Sequence, residues 1–206
     1  MRIDGKRLDS FLNEVRSCTD CKTEPCKAAK RCTPFIYGKP TSDILVISEN
    51  PPIRPWRDNI GTLWKETLDT TNEGEGVPSK IARWLGILEE ADKRFFWIQR
   101  ANCFPTGPLD ETWIYCSNKY ISEAITLVKP RLILTLGGVA ASYFRKFHSL
   151  KDLSQRCLEE KGLTVTIENN DYKWVVLSHP SWRGNAWRQK NAELHKGIVR
   201  LTLKLI

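Results

Sequence analysis

No apolar run in this sequence approaches the roughly 20 residues needed to cross a bilayer as a helix, which argues against a membrane-spanning protein. Repeats and low-complexity tracts are also missing. Glycine nowhere gathers into a phosphate-binding loop: Gly137-Gly138 is too short a signal to cradle a dinucleotide. No lysine stands in a motif that suggests a Schiff base. The opening MRIDGKRLDSFLNEV is charged and helix-like, unlike a secretory leader, so an intracellular protein is expected. Negative charge is in deficit too. The 24 Asp and Glu are outnumbered by 32 Lys and Arg, and a net charge of +8 favours a polyanionic partner, nucleic acid first. Histidine is scarce, three in 206 residues, yet one of them ends an apolar strand in VVLSHPSWRGN.

What is present is equally pointed. With 41% hydrophobic and 27% charged residues, the chain suits one globular domain over 1–206. Eight tryptophans include several beside arginine (Trp56-Arg57, Arg83-Trp84, Trp182-Arg183, Trp187-Arg188), a mixture suited to stacking on bases and gripping phosphates, or simply to filling a core. Seven cysteines in a chain expected inside the cell favour a metal site over disulfides. Cys18-Thr19-Asp20-Cys21 has the gap that lets two thiolates grip one ion. Cys26 and Cys32 follow, Cys103 and Cys116 stand far downstream, and Cys157 reads as packing.

Periodicity predicts a helix over 7–16 with Leu8, Phe11, Leu12 and Val15 on one face, then a strand over 43–48. A helix over about 61–68 and one capped by Ser79, with Ile81, Trp84, Leu85 and Leu88 inside, precede a strand over 95–99. A long helix over about 111–128 leads to a strand over 132–136 and a short helix from Gly137 to Phe147. A hairpin joins 163–167 to 174–177, and an amphipathic helix from about Ala186 ends the chain. Alternating strands and helices predict an α/β fold: a mainly parallel central sheet of about four strands with helices on both faces. Ligands of such sheets bind beyond the carboxyl ends of the strands. Three polar clusters fall there, Ser48-Glu49-Asn50, Gln99 to Asn102, and Ser178-His179-Pro180-Ser181.

In this order the clusters resemble the uracil-DNA glycosylase superfamily. Its first motif, Gly-x-(Asp/Asn/Ala)-Pro, is matched by an unusual Ser48-Glu49-Asn50-Pro51-Pro52, and its second, His-Pro-(Ser/Ala), by His179-Pro180-Ser181. The Cys103 segment, the Cys116 helix, VKPRLILTLGGVAASYF and the N-terminal cysteine pair are similar to the iron–sulfur branch, family 4. The resemblance implies a structural [4Fe–4S] cluster on Cys18, Cys21, Cys103 and Cys116, tying the N-terminal arm to the core. Four thiolates suit zinc as well. The interval from Cys103 to Cys116 is shorter than the family's, and Cys26 and Cys32 are additional, so a local set of Cys18, Cys21, Cys26 and Cys32 is the alternative.

The resemblance also implies a monofunctional glycosylase acting on uracil, or another deaminated base, in DNA. The nucleotide is flipped out, water attacks, and an abasic site remains. His179 would donate a hydrogen bond to the departing base, whose negative charge is the main thing to stabilise. Asn50 would orient the water beside Glu49, which matches the family-4 glutamate; an asparagine before proline also suits a turn. Gln99 stands where the family has asparagine, with Asn102 nearby, which leaves hypoxanthine open beside uracil. Trp56 would form an aromatic floor, and Pro52 lies where relatives exclude the thymine methyl. Ser181 and Arg188 would meet phosphates, and Trp182 or Arg183 would fill the gap left by the flipped nucleotide. A monomeric, cytoplasmic, nucleoid-associated protein is expected. The alternatives are a catalytically inactive nucleic-acid-binding protein on the same fold with a structural metal site and, disfavoured by its single Cys-x-x-Cys, a metal-cluster assembly or redox protein.

Overall fold

The computed structural model describes residues 4–18, 34–49, 76–102 and 109–206, with backbone alone at 109–113 and 182–183. Asp4 opens α1 (Gly5–Arg16) by accepting the Lys6 amide at 3.0 Å, and Leu8, Phe11, Leu12 and Val15 form its buried face as their spacing predicts. The expected helix near 61–68 lies outside the described residues. Strand β1 (Ile44–Ser48) is followed by α2 (Val77–Trp84), whose first turn holds Pro78, where a missing N–H costs nothing. Gly76 takes the N-cap position expected of Ser79, which is buried inside that turn. A single turn, α3 (Ala91–Arg94), leads into β2 (Phe95–Gln99).

The long helix α4 (Leu109–Val128) precedes β3 (Leu132–Leu136), and α5 (Gly137–Ala141) begins at once and stops short of Phe147. An unexpected helix, α6 (Leu150–Glu159), is capped by the Ser149 hydroxyl on the Asp152 amide at 3.1 Å and buries Leu153, Ser154 and Cys157. The hairpin β4 (Leu163–Ile167) to β5 (Asn170–Leu177) turns through Glu168 (φ 47°) and Asn169 (φ 64°), whose left-handed backbone matches the twist of the strands. The final helix divides into α7 (Trp182–Lys190) and α8 (Ala192–Leu205). At the break, Asn191 leaves the helical backbone region (φ −128°, ψ 42°), and its side-chain amide joins its own backbone N–H in donating to the Trp187 carbonyl, at 2.9 and 3.0 Å.

The sheet order is β2-β1-β3-β5-β4, parallel except for the β4–β5 edge pair. Every residue of β1, β2 and β3 is buried, so both faces of the central sheet are covered. The outer edge of β2 is closed by Tyr37, which exchanges backbone hydrogen bonds with Trp97 at 3.0 and 2.7 Å. The chain leaves β1 toward β2 and leaves β3 toward β5, so the loops after β1 and β3 diverge. That divergence is a topological switch point, where open α/β sheets form their ligand crevice. Among the described residues no helix is long and apolar enough to cross a membrane.

The core is locked across β3 and β5 by Trp174, whose buried indole N–H donates to Thr135 Oγ1 at 2.8 Å. Thr135→Val keeps the shape and strands that donor. It is expected to lower the unfolding free energy by about 1–3 kcal/mol with an unchanged urea m-value. Urea titration of the two proteins reads this, and equal midpoints would contradict it.

Candidate active site

Four chain segments emerge at the carboxyl edge of the parallel sheet. Ser48 and Gln99 are register partners at the ends of β1 and β2. Pairing continues beyond them: the Arg100 amide donates to the Ser48 carbonyl at 2.8 Å and the Ala101 amide to the Glu49 carbonyl at 3.0 Å. Glu49 is thereby pinned against the loop after β2. The Trp97 indole N–H donates to Ser48 Oγ at 3.2 Å, and the Ser48 hydroxyl donates to Gln99 Oε1. All three residues are buried. The relay fixes the polarity of the Gln99 amide, because its oxygen already holds a donor. Asn102 Oδ1 accepts the Gln99 backbone N–H at 3.0 Å, while its buried Nδ2 has no partner among the described residues.

Arg100, placed between these two amides in sequence, turns into the protein. Its Nε donates to Ser117 Oγ at 3.1 Å, and Nη1 to the Val139 carbonyl at 2.8 Å and to Ser142 Oγ at 2.7 Å. It joins the loop after β2 to α4 and to the α5 region, which restrains the floor of the site.

His179 follows β5. Its Nδ1 accepts the Ser181 backbone N–H at 3.1 Å, so the neutral ring carries its proton on Nε2 and is a donor there. Burial, then the Arg188 charge, lowers His179 from its usual 6.5 to about 4. Two glycines let the backbone close around this loop. Gly137 (φ 81°) starts α5, and a Cβ there would stand 3.3 Å from His179 Cβ. A Cβ on Gly184, in the first turn of α7, would lie 1.6 Å from the His179 carbonyl oxygen, a clash no repacking of side chains relieves. Ser181 caps α7 by accepting the Gly184 amide at 3.5 Å, so its hydroxyl and its own amide are both engaged in the loop. Arg188, expected at a phosphate, donates to the His179 carbonyl at 2.7 Å and lies over the Trp84 ring at 4.9 Å. His195 packs edge-on against Trp84 at 4.8 Å, with Nδ1 3.4 Å from Ser178 Oγ.

The fold therefore gathers Glu49, Gln99, Asn102, His179, Ser181 and Arg188 at one edge of the sheet. Asn50, Pro52, Trp56, Cys21 and Cys103 lie outside the described residues, as do the side chains of Trp182 and Arg183. Sequence reasoning assigns no site role to Arg100, Gly184 or His195, and reads Trp84 only as helix core or as a base-stacking candidate beside Arg83. Gly184 alone carries a local signal, a helix-weakening residue in a first helical turn, which marks a close backbone approach.

Cys18 follows the Ser17 C-cap of α1, and Cys116 is buried on α4. Tyr120 lies one turn beyond Cys116 on the same face of α4. Burial and the Cys18 thiol against its hydroxyl hold the Tyr120 phenol above its usual range. That hydroxyl finds no nitrogen or oxygen partner among the described residues. Two thiols from distant segments, one of them beside the Tyr120 hydroxyl, suit a thiolate-bound group. Among the described residues no three His, Cys, Asp or Glu side chains assemble as a metal site, and two of the expected four ligands fall outside them.

The lowered His179 pKa gives stability a pH dependence of fixed sign. Between about 4 and 6.5 the unfolded chain binds more protons, so stability is complete above this window and lost as pH falls through it. His195, lowered by burial and by Arg188, acts in the same direction. His179→Gln is expected to flatten the stability-versus-pH curve there, read by denaturant titration at several pH values. An unchanged slope would contradict a neutral His179 in the folded protein.

Comparison with known proteins agrees with this architecture. Residues 35–201 match the family model of the Uracil DNA glycosylase superfamily. The chain is similar to the type-4 uracil-DNA glycosylase of Saccharolobus solfataricus, 27% identical over 177 residues that cover 85% of this chain and 74% of that protein. The matched region holds β1, the Gln99–Asn102 cluster and the His179 loop together, and by it the chain belongs to the uracil-DNA glycosylase superfamily.

Proposed function

We propose that this protein is a monofunctional DNA glycosylase that hydrolyses the N-glycosidic bond of uracil, or of a related deaminated base, and leaves an abasic site. The observation that carries the reading is a half-buried His179 with its proton on Nε2, beyond the carboxyl edge of a parallel sheet in a chain of this superfamily. Cleavage puts negative charge on the departing base, and a donor already oriented and desolvated stabilises that charge without reorganising. Asn50 orients the attacking water with Glu49 beside it. Trp56 stacks on the flipped base, Pro52 flanks its C5 edge, and Ser181, Trp182 and Arg183 face the DNA.

Base choice follows from hydrogen-bond polarity. Deamination replaces an exocyclic amino donor by a carbonyl acceptor. Gln99 Oε1 accepts from Ser48 and keeps a second lone pair that suits the uracil N3–H, its Nε2–H groups suit the O4 carbonyl, and Asn102 Nδ2 adds another donor. Such a site favours uracil over cytosine and rejects the undamaged base by leaving donors facing each other.

A [4Fe–4S] cluster on Cys18, Cys21, Cys103 and Cys116, with zinc as the alternative, belongs to the same reading. The position of Tyr120 between Cys18 and the Cys116 face of α4 supports a site shared by arm and core over a purely local one. When bound, the group supplies a cross-link between these segments; the chemistry above needs only side chains and water. Cys116→Ser is expected to abolish bound iron and sulfide and lower Tm, whereas undiminished metal content would favour the local set.

Single-turnover excision from oligonucleotides containing uracil, hypoxanthine, xanthine or a G·T mismatch, single- and double-stranded, tests the function after alkaline cleavage. The wild type is expected to release uracil and His179→Ala to lose roughly 100-fold or more in rate while still binding DNA. Undiminished turnover in His179→Ala would sink the mechanism. No product from any substrate, with DNA binding intact, would favour the non-enzymatic reading.

A further inference from the structure

We propose that Arg188 is a positioning residue for this reaction, acting through the His179 backbone rather than on DNA; the inference rests on the glycosylase reading above. Three contacts fix the guanidinium. Nη1 donates to the His179 carbonyl at 2.7 Å, Nη2 lies 3.4 Å from Asn185 Oδ1, and the guanidinium carbon lies over the Trp84 indole, 4.9 Å from the ring centroid. Stacking and hydrogen bonding together use the planar fork of arginine, which lysine cannot reproduce. Gly184 makes room: a Cβ there would stand 1.6 Å from the His179 oxygen and 3.2 Å from Arg188 Nη1. The glycine and the arginine are thus two halves of one device, an open helix face and a cation that reaches across it.

The device bears on catalysis in two ways. The carbonyl bond holds the His179 peptide while the Ser181 amide holds the ring, so both ends of the residue are clamped. The fixed positive charge opposes protonation of the imidazole, and it also favours a negative charge developing on the base nearby. The titratable groups brought to this loop by the described elements around it are Arg188 from α7 and His195 from α8; α5 contributes Gly137 and α2 the Trp84 face. Trp84 and His195 support the guanidinium from behind, which explains why an aromatic pair is spent at the rim of the sheet.

Arg188→Gln and Arg188→Lys test this in the full-length protein, with two readouts. In single-turnover excision, Arg188→Gln is expected to lose about 10- to 100-fold in rate with unchanged half-saturation by DNA and unchanged salt dependence. In long-range proton–nitrogen NMR of the ring, its His179 midpoint moves upward from about 4. Arg188→Lys, which keeps the charge and loses the fork, is expected to keep the low midpoint while losing turnover. Weakened DNA binding with a salt slope reduced by about 1, alongside an unmoved His179 midpoint and tautomer, would overturn the proposal and make Arg188 a phosphate contact. A wild type without excision activity would remove the glycosylase reading, and the NMR comparison alone would then decide whether Arg188 controls His179.

Discussion

One hydrogen bond governs the site: the Ser181 backbone N–H donating to His179 Nδ1. It settles which nitrogen carries the proton and orients the ring, and protonating Nδ1 would remove the acceptor. Much of the surrounding structure protects it. β5 delivers His179 to the sheet edge, Ser181 starts α7 at once, and Gly184 lets that helix approach to a distance no other residue permits. The low imidazole pKa is the electrostatic image of the same packing, set first by burial and then by Arg188.

The sheet supplies the second requirement, that reading and catalytic groups lie side by side although about 80 residues separate Gln99 from His179 in the chain. Parallel pairing puts the ends of β2, β1, β3 and β5 along one edge, and the strand order reverses between β1 and β3, the arrangement at which open α/β sheets bind their ligands. Neutral hydrogen bonds then set directions along that edge. Trp97 orders Ser48, Ser48 orders Gln99, and Gln99 in turn holds Asn102. Arg100 ties this loop to Val139 in α5 and to Ser142 at its C-cap, so the base-reading side of the site and its floor are fixed to one another.

Much of this was legible in the residues. Apolar runs bounded by Pro, Gly and polar clusters marked all five strands, and the polar clusters themselves marked the edge where a ligand belongs. Boundaries set by local competition were not legible. The break at Asn191 is a single residue leaving the helical backbone region (φ −128°, ψ 42°), and the start of α2 depends on Pro78 rather than on the hydroxyl of Ser79. Helix α6 had its signal, Ser149 before Leu150, Leu153 and Cys157, but a charged, mixed composition obscured it. The inward turn of Arg188 was the least accessible feature. An arginine on an exposed-looking helix next to tryptophan reads as a DNA contact until the fold brings Trp84 and the His179 carbonyl beneath it.

The central claim is a His179 ring that stays neutral and carries its proton on Nε2. Long-range proton–nitrogen correlation NMR of the wild-type protein, followed across the acid range, addresses it without reference to substrate. The expected result is an unprotonated Nδ1 and a protonated Nε2 down to a midpoint near 4. A proton on Nδ1, or a titration near the usual 6.5, would contradict it.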